Sequence, residues 1–388
     1  MDIHRFRIET PGTTHRIHLN NAGASLMTTP VINKIKEIID QETREGGYEV
    51  MFAREGEIRQ AYDSLGHLMH SKSRNIAFSA SATDAWSIAV SSVPLSRGDV
   101  ILTTTNDYCA NQITFLAMIK RLGVRVLHVP DTAAGGVSVD AFEEYVKKYR
   151  PKLAAVTHVP TNSGLVQPVG EIGKICRENE LLYLVDGCQS VGQMDVNPDA
   201  IGCDFFSATS RKFLRGPRGM GFLWVSDRAL DMGLEPMYMD LNGAEWTDAE
   251  TYIPRSDAKR YETFEFSYAL LLAMAEAARY AINIGLPAIE TRVNALAAYT
   301  RDRLSEIPGV RVLDEGEKLC GIVTFHIEGE DPMAVKNRLD KRGINCSLAF
   351  RRNAVMDFDR KGVNWALRFS PHYYNTEAEI EEVLGVKL

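Results

Sequence analysis

The chain has no basic excess, no long apolar run and no paired cysteines. Its 388 residues carry 44 Lys and Arg against 51 Asp and Glu, a formal charge of −7. Nucleic acid and anionic membrane surfaces are recognised through the opposite imbalance. No stretch of about 18 apolar residues is present to span a bilayer. The first residues, MDIHRFRIETPGTTHRIHLNN, have no apolar core behind a positive flank and do not read as a secretory signal. The six cysteines (Cys109, Cys176, Cys188, Cys203, Cys320 and Cys346) form no CxxC pair. That pattern reads as reduced thiols, with neither a disulfide frame nor a metal site. The expectation is a cytoplasmic protein that binds no nucleic acid, no membrane and no metal.

What is present is an ordinary globular composition, 45% hydrophobic and 24% charged, in a chain long enough for two or three domains. Short apolar runs at 74–78, 100–104, 124–129, 153–158, 181–186, 204–207 and 221–225 read as seven buried strands. Stretches 82–93, 110–121, 139–149 and 169–179 between them read as helices. Strands alternating with helices predict an α/β fold with a mainly parallel, doubly wound sheet, whose ligand crevice lies beyond the carboxyl ends of the strands. After Gly243 the rhythm changes. A charged, aromatic loop leads into helices at 269–284 and 287–307. The tail then reads strand (310–313), strand (321–327), helix (332–341), short strand (344–347), strand (366–370) and helix (376–386). The expected division is a large α/β domain at 15–268 and a smaller α+β domain made of 1–14 and 269–388, joined by the helix at 269–284.

Two residues carry the chemistry. The run LLYLVDGCQS ends an apolar strand in Asp186, and Lys212 stands in the following turn, SATSRKFLRGPRG. A carboxylate can keep a pyridinium nitrogen protonated so that the ring withdraws electrons. A lysine can form a Schiff base with an aldehyde cofactor and later shuttle protons as a free amine. Taken alone, Lys212 also reads as a surface lysine of a basic loop.

The strand-Asp-x-x-Gln-Ser segment, followed by Ser-Arg-Lys and Gly-Pro-Arg-Gly, resembles the aminotransferase class V family. Cysteine desulfurases, selenocysteine lyases, isopenicillin N epimerase-like proteins and the C–S lyases of thiohistidine biosynthesis belong to it. The resemblance implies pyridoxal 5'-phosphate as cofactor and the fold-type I transferase architecture: a large domain on a seven-stranded, mainly parallel sheet plus a smaller C-terminal α+β domain. It also implies a homodimer acting on a small amino-acid substrate. Lys212, Asp186 and Tyr108 take the catalytic positions, Tyr108 by stacking on the ring. The turn Ser81-Ala82-Thr83 matches the phosphate-binding helix start, which otherwise reads as a plain N-cap. Thr209 and Arg211 complete the phosphate cradle, Gln189 donates to the ring oxygen, and Thr161 lies near it, with Asn162 as the neighbouring substrate contact. Arg368 matches the arginine that grips the substrate carboxylate, since a planar fork suits that group. Ala22 and Gly23, in Asn20-Asn21-Ala22-Gly23, line the substrate entrance or form a structural turn.

One segment departs from the family. Dimeric relatives lend a threonine to the partner's phosphate through Arg-x-Glu-x-Gly-Thr, but this chain has Arg260-Tyr261-Glu262-Thr263-Phe264-Glu265, and a carboxylate does not favour a phosphate. The variant is similar to the thiohistidine-type C–S lyase and epimerase-like branch. Desulfurases also need a cysteine on a mobile loop shortly before the carboxylate-binding arginine, and residues 349–364 contain none. Cys346 reads as a buried small residue rather than a persulfide nucleophile. The expected reaction is therefore β-elimination from a cysteine S-conjugate or its sulfoxide, giving pyruvate, ammonia and a thiol or sulfenate. The alternatives are an aminotransferase, an epimerase, a cysteine desulfurase or a catalytically silent cofactor-binding protein. Arg351, Arg352, Asp357, Asp359 and Arg360 are either a recognition loop for a charged substrate tail or a solvated surface run.

Overall fold

Runs of Val, Ile, Leu and Phe between helical stretches build the main sheet. In the computed structural model, which describes residues 1–386, its order is Ile76–Ser79, Gly221–Val225, Phe205–Thr209, Leu182–Asp186, Leu153–Thr157, Val100–Thr104, Arg125–Val129. Only Gly221–Val225 runs against its neighbours; the other strands are parallel to one another. The central strands are buried along their whole length. Helices cover both faces, so these strands read as continuous apolar runs instead of alternating ones. The sheet is the mainly parallel, seven-stranded one expected from the sequence.

A second sheet is antiparallel throughout, in the order Val310–Val312, Val323–Ile327, Trp365–Phe369, Ser347–Phe350. Helix Tyr268–Ile284 packs on helices Thr29–Glu45 and Glu55–Leu68. Its buried side is rich in alanine (Ala269, Ala273, Ala275, Ala277, Ala278), which lets the backbones approach closely. An enlarged side chain there would overpack the contact at a cost of about 1–3 kcal/mol.

Several features differ from expectation, among them the following. Helices Thr29–Glu45, Gly47–Ala53 and Glu55–Leu68 were not anticipated, nor was helix Val355–Lys361. The expected strand 344–347 is broken at Cys346. Ile344–Asn345 pairs in parallel with Ile17–His18, while Ser347–Phe350 joins the antiparallel sheet. The chain passes from one pairing to the other at that residue. As a result the segment from Ile17 to Asn20 runs beside the C-terminal sheet, and Asn20 bridges Ser370.

Candidate active site

Asp186 is the last residue of its strand and is buried. Its Oδ1 accepts the N–H of Cys188 at 3.0 Å, and its Oδ2 accepts Asn111 Nδ2 at a long 3.3 Å. The chain turns away at Gly187, where a Cβ would come within 1.9 Å of the Phe206 ring, so no larger residue fits.

Lys212 lies in the link between strands Phe205–Thr209 and Gly221–Val225. The link folds back tightly: Gly216 N–H donates to the Ser210 carbonyl at 2.9 Å, and a Cβ on Gly216 would sit 1.9 Å from Ser210 Oγ. Arg215 adopts a left-handed φ of 64°, unusual for a residue with a side chain. Its guanidinium holds it there, donating to the Leu26 carbonyl and Thr10 Oγ1 and lying 4.4 Å from the centroid of the Tyr374 ring.

The Lys212 side chain is 6% exposed. Among the described residues it has no ion pair; its Nζ lies 5.8 Å from the centroid of the Tyr108 ring. Burial pulls its pKa below the usual lysine range, and Arg211 and Arg368 act in the same direction against Cys188 and Asp186. Tyr108 is half-buried and stands at the start of helix Cys109–Leu122.

Ser81 caps helix Ala82–Ser91, accepting the N–H of Asp84 at 3.1 Å. The first-turn N–H groups of Ala82 and Thr83 lie where no helical carbonyl reaches. Gly221 passes so close that a Cβ would be 2.6 Å from Ala82 N. Thr209 pairs with Gly221 across the strands, so Thr209 and the 81–83 turn meet although distant in sequence. Arg211 donates to the Gly23 carbonyl, and Ser25 N–H donates to the Arg211 carbonyl at 2.8 Å. Ala22 joins the same wall: its carbonyl accepts Gln189 Nε2 at 3.1 Å.

Arg368 projects from strand Trp365–Phe369 and is 7% exposed. Its Nη1 donates to Thr161 Oγ1 and the Thr161 carbonyl, and its Nη2 donates to Asn20 Oδ1 at 3.2 Å. Among the described residues its Nε has no partner. No carboxylate pairs with it among the described residues, and burial, reinforced by Arg211, pulls its pKa down to about 10. Two guanidinium groups and a lysine thus converge with Asp186 as the carboxylate at hand, an arrangement suited to an anionic ligand.

Two expected contacts are oriented differently. Gln189 gives its Nε2 to Thr161 Oγ1 and the Ala22 carbonyl, and its unpartnered atom is Oε1. Asn162 turns its Nδ2 to Asn106 Oδ1 at 3.0 Å and to Asp357 Oδ2 at 2.9 Å. Asp357 is buried and also holds Lys361 Nζ at 2.9 Å, so helix Val355–Lys361 is pinned against the strand ends of the main sheet. Nothing in the sequence linked Asp357 to Asn162. Glu265 is exposed. Glu262 is buried and accepts the Phe78 N–H at 2.7 Å, the Tyr62 hydroxyl and Asn242 Nδ2.

Cys346 belongs to the apolar core of the C-terminal sheet, and burial pushes its thiol up to about 12. Arg351 pairs with Asp359, and Arg360 with Glu315, at exposed positions. Arg360 also reaches the buried Asp357 Oδ1 at 3.4 Å, so the run is partly exposed and partly buried.

A model of the family described as aminotransferase class-V matches residues 17–383. A probable cysteine desulfurase of Methanothermobacter thermautotrophicus is 26% identical over 98% of this chain and 96% of its own length. One from Halalkalibacterium halodurans is 29% identical over 83% of this chain and 79% of its own. Among solved structures, the apo cysteine desulfurase of Thermococcus onnurineus NA1 superposes with a TM-score of 0.90 at 25% identity, covering 99% of this chain and 96% of that one. A cystine C–S lyase solved with its product cysteine persulfide has a TM-score of 0.87 at 20% identity, covering 97% and 98%; this likeness shows the fold.

Proposed function

Because the chain belongs to the aminotransferase class-V family, we propose that it is a pyridoxal phosphate-dependent C–S lyase. Its substrate would be a cysteine S-conjugate or its sulfoxide, cleaved by β-elimination to pyruvate, ammonia and a thiol or sulfenate. The fit to the cofactor rests on groups the chain leaves unsatisfied. Among the described residues the Lys212 amine is buried without an ion pair, the Asp186 oxygens accept one backbone and one amide N–H with the Cys188 thiol as a further weak donor, and the helix start at 81–83 opens beside Thr209.

Pyridoxal phosphate, when bound, supplies an electron-withdrawing ring that weakens the bonds at the substrate α-carbon. Lys212 is the residue to hold its aldehyde carbon, Asp186 its ring nitrogen, Tyr108 its face, and Ser81, Ala82, Thr83, Thr209 and Arg211 its phosphate. Burial favours the neutral amine of Lys212, so Nζ can take the α-proton and later return one. Arg368 binds the α-carboxylate. Because Thr161 and Asn20 fix the guanidinium, the carboxylate determines which α-bond faces the lysine.

The observation that carries elimination over desulfuration is the segment before Arg368. It is a pinned helix without cysteine, and the nearest thiol in sequence, Cys346, is buried and held protonated. A second reading, cysteine desulfurase, is favoured by the names of the relatives. Product analysis separates the two. Pyruvate and ammonia without an amino acceptor support the lyase; alanine with a protein persulfide supports the desulfurase; a keto acid that requires an acceptor, or a D-amino acid, overturns both.

A second copy of the chain is the proposed partner. Leu122, Met237 and Tyr238 are exposed and line one cleft between helix Cys109–Leu122 and the 235–238 segment, and Ile113 and Leu116 are exposed on the same helix. Monomers rarely leave such an apolar surface in water, and this one continues from the helix that starts beside Tyr108. Sedimentation of a Leu116→Glu variant as a monomer, against a dimeric wild type, supports it. The six cysteines are free, in keeping with the proposed cytoplasmic location, and among the described residues no single helix is long and apolar enough to cross a membrane.

A further inference from the structure

Asp107 and Asn111 flank Tyr108 on either side, and both are buried. The Asp107 carboxylate is surrounded by neutral donors. Its Oδ1 accepts the Tyr108 N–H at 2.6 Å, the Thr157 hydroxyl, and Asn111 Nδ2 at 3.2 Å. Its Oδ2 accepts Gln112 Nε2 at 2.8 Å and the Thr103 hydroxyl at 3.3 Å. No cation pairs with it among the described residues, and burial pushes its carboxyl up to about 6. A neutral residue would cost less at this position.

Counting protons fixes the neighbours. Gln112 gives its amide hydrogens to Asp107, so its Oε1 faces His128, and His128 Nε2 donates to it at 2.8 Å. The Thr157 hydroxyl spends its one proton on Asp107 and can only accept from Asn111. Asn111 Nδ2 stands 3.2 Å from Asp107 Oδ1, 3.3 Å from Thr157 Oγ1 and 3.3 Å from Asp186 Oδ2. Its two hydrogens are shared among these three oxygens, two of which belong to the carboxylates. The strands fix this meeting, because Thr157 and Asp186 are direct neighbours in register.

We propose that Asp107 is a positioning residue for Asp186: a second buried negative charge, joined to it through the Asn111 amide, that keeps an N–H turned to Asp186 Oδ2 and favours a cation on the free face of Asp186. This rests on the cofactor reading above, in which that cation is the protonated ring nitrogen. The distances from Asn111 are at the long end for hydrogen bonds, so the amide orients more than it binds. The second charge acts through space: a carboxylate with another behind it holds a facing cation more firmly.

The test is Asp107→Asn, which keeps the shape and removes the charge, with pyridoxal phosphate added to the cofactor-free protein and binding followed by equilibrium dialysis. The cofactor Kd is expected to rise about tenfold and kcat to fall about tenfold, which corresponds to about 1.4 kcal/mol, while KM for a cysteine conjugate stays within about twofold. Asp107→Glu should recover part of both losses. The melting temperature of cofactor-free Asp107→Asn is the control for a structural role, since the amide turns an NH2 group toward donors that faced the carboxylate. A lowered melting temperature with an unchanged cofactor Kd would assign Asp107 a merely structural role and overturn the proposal. Asn111→Ala cuts the link without touching Asp107 and should weaken cofactor binding in the same direction; wild-type binding in that variant also overturns it. If wild type itself fails to bind pyridoxal phosphate, the cofactor reading falls and this proposal falls with it. Normal binding in wild type and in Asp107→Asn alike sinks only the proposal.

Discussion

Arg368 Nη1 donates to Thr161 Oγ1 at 2.6 Å and to the Thr161 carbonyl at 2.8 Å, joining residues 207 positions apart in sequence. Thr161 Oγ1 also accepts Gln189 Nε2. One hydroxyl therefore holds together the arginine of the C-terminal sheet and the glutamine that follows Asp186. An arriving carboxylate finds the guanidinium already aimed, with Nε unpartnered among the described residues.

Arg368→Ala is expected to lower kcat/KM for a cysteine conjugate about a hundredfold, chiefly through KM, because a charge-assisted hydrogen bond is worth about 1.5–3 kcal/mol. Arg368→Lys should recover only part of it, since one ammonium cannot offer two parallel donors. Steady-state kinetics of the three proteins check this; full recovery by lysine would argue against a bidentate contact.

Lys212→Ala should remove turnover and the absorption band of lysine-bound cofactor. The fold should survive, because among the described residues the deleted amine is buried without an ion pair. Borohydride reduction of the loaded wild type should fix the cofactor on the peptide containing Lys212. Mass spectrometry locates the label, and a label on another lysine would sink the assignment.

Glu262 predicts a pH dependence of stability. Burial pushes its carboxyl from an ordinary 4.5 up to about 7, against the opposing hydrogen bonds from Phe78 and Tyr62. The folded value lies above the unfolded one, so the associated stability is present in full below pH 4.5 and is lost as pH rises through 7. The loss amounts to about 3 kcal/mol. Glu262→Gln keeps an acceptor for the Phe78 N–H and should flatten this slope. Denaturant unfolding of the cofactor-free protein at pH 5 and pH 8 measures it; equal slopes for variant and wild type contradict the assignment.

The legible parts of this molecule were those written locally. Each central strand is a continuous apolar run because it is buried on both faces, and Asp186 and Lys212 stand out because each ends or interrupts such a run. Helix Thr29–Glu45 was not anticipated although Val31, Ile32, Ile35, Ile38 and Ile39 recur at helical spacing; what the sequence hides is the partner of that face, helix Tyr268–Ile284, more than 200 positions away. Cys346 looked like part of one strand because two short strands belonging to different pairings abut there. The polar network was hidden for another reason. Asp107, Asn111 and Thr157 read as turn and strand-end residues until three strands bring them beside Asp186, and nothing local joins Asn162 to Asp357, 195 positions away, which takes its amide.

Cys346→Ala distinguishes elimination from desulfuration. Elimination needs no protein thiol, because the sulfur leaves with its own substituent; desulfuration must transfer sulfur to a cysteine of the chain. Cys346 sits in the core of the C-terminal sheet with its thiol held protonated, so its loss should cost roughly 1 kcal/mol of stability through a small cavity and leave most C–S cleavage intact. Cys188, beside Asp186, is the other thiol to exclude. Burial first, and then the Asp186 carboxylate, keep it protonated, so it is also a poor sulfur acceptor. Pyruvate and released sulfur species should be assayed for Cys346→Ala and Cys188→Ala with a cysteine sulfoxide conjugate and with free cysteine. If either substitution abolished turnover, and wild type yielded alanine with a persulfide on that cysteine, the desulfurase reading would replace the lyase.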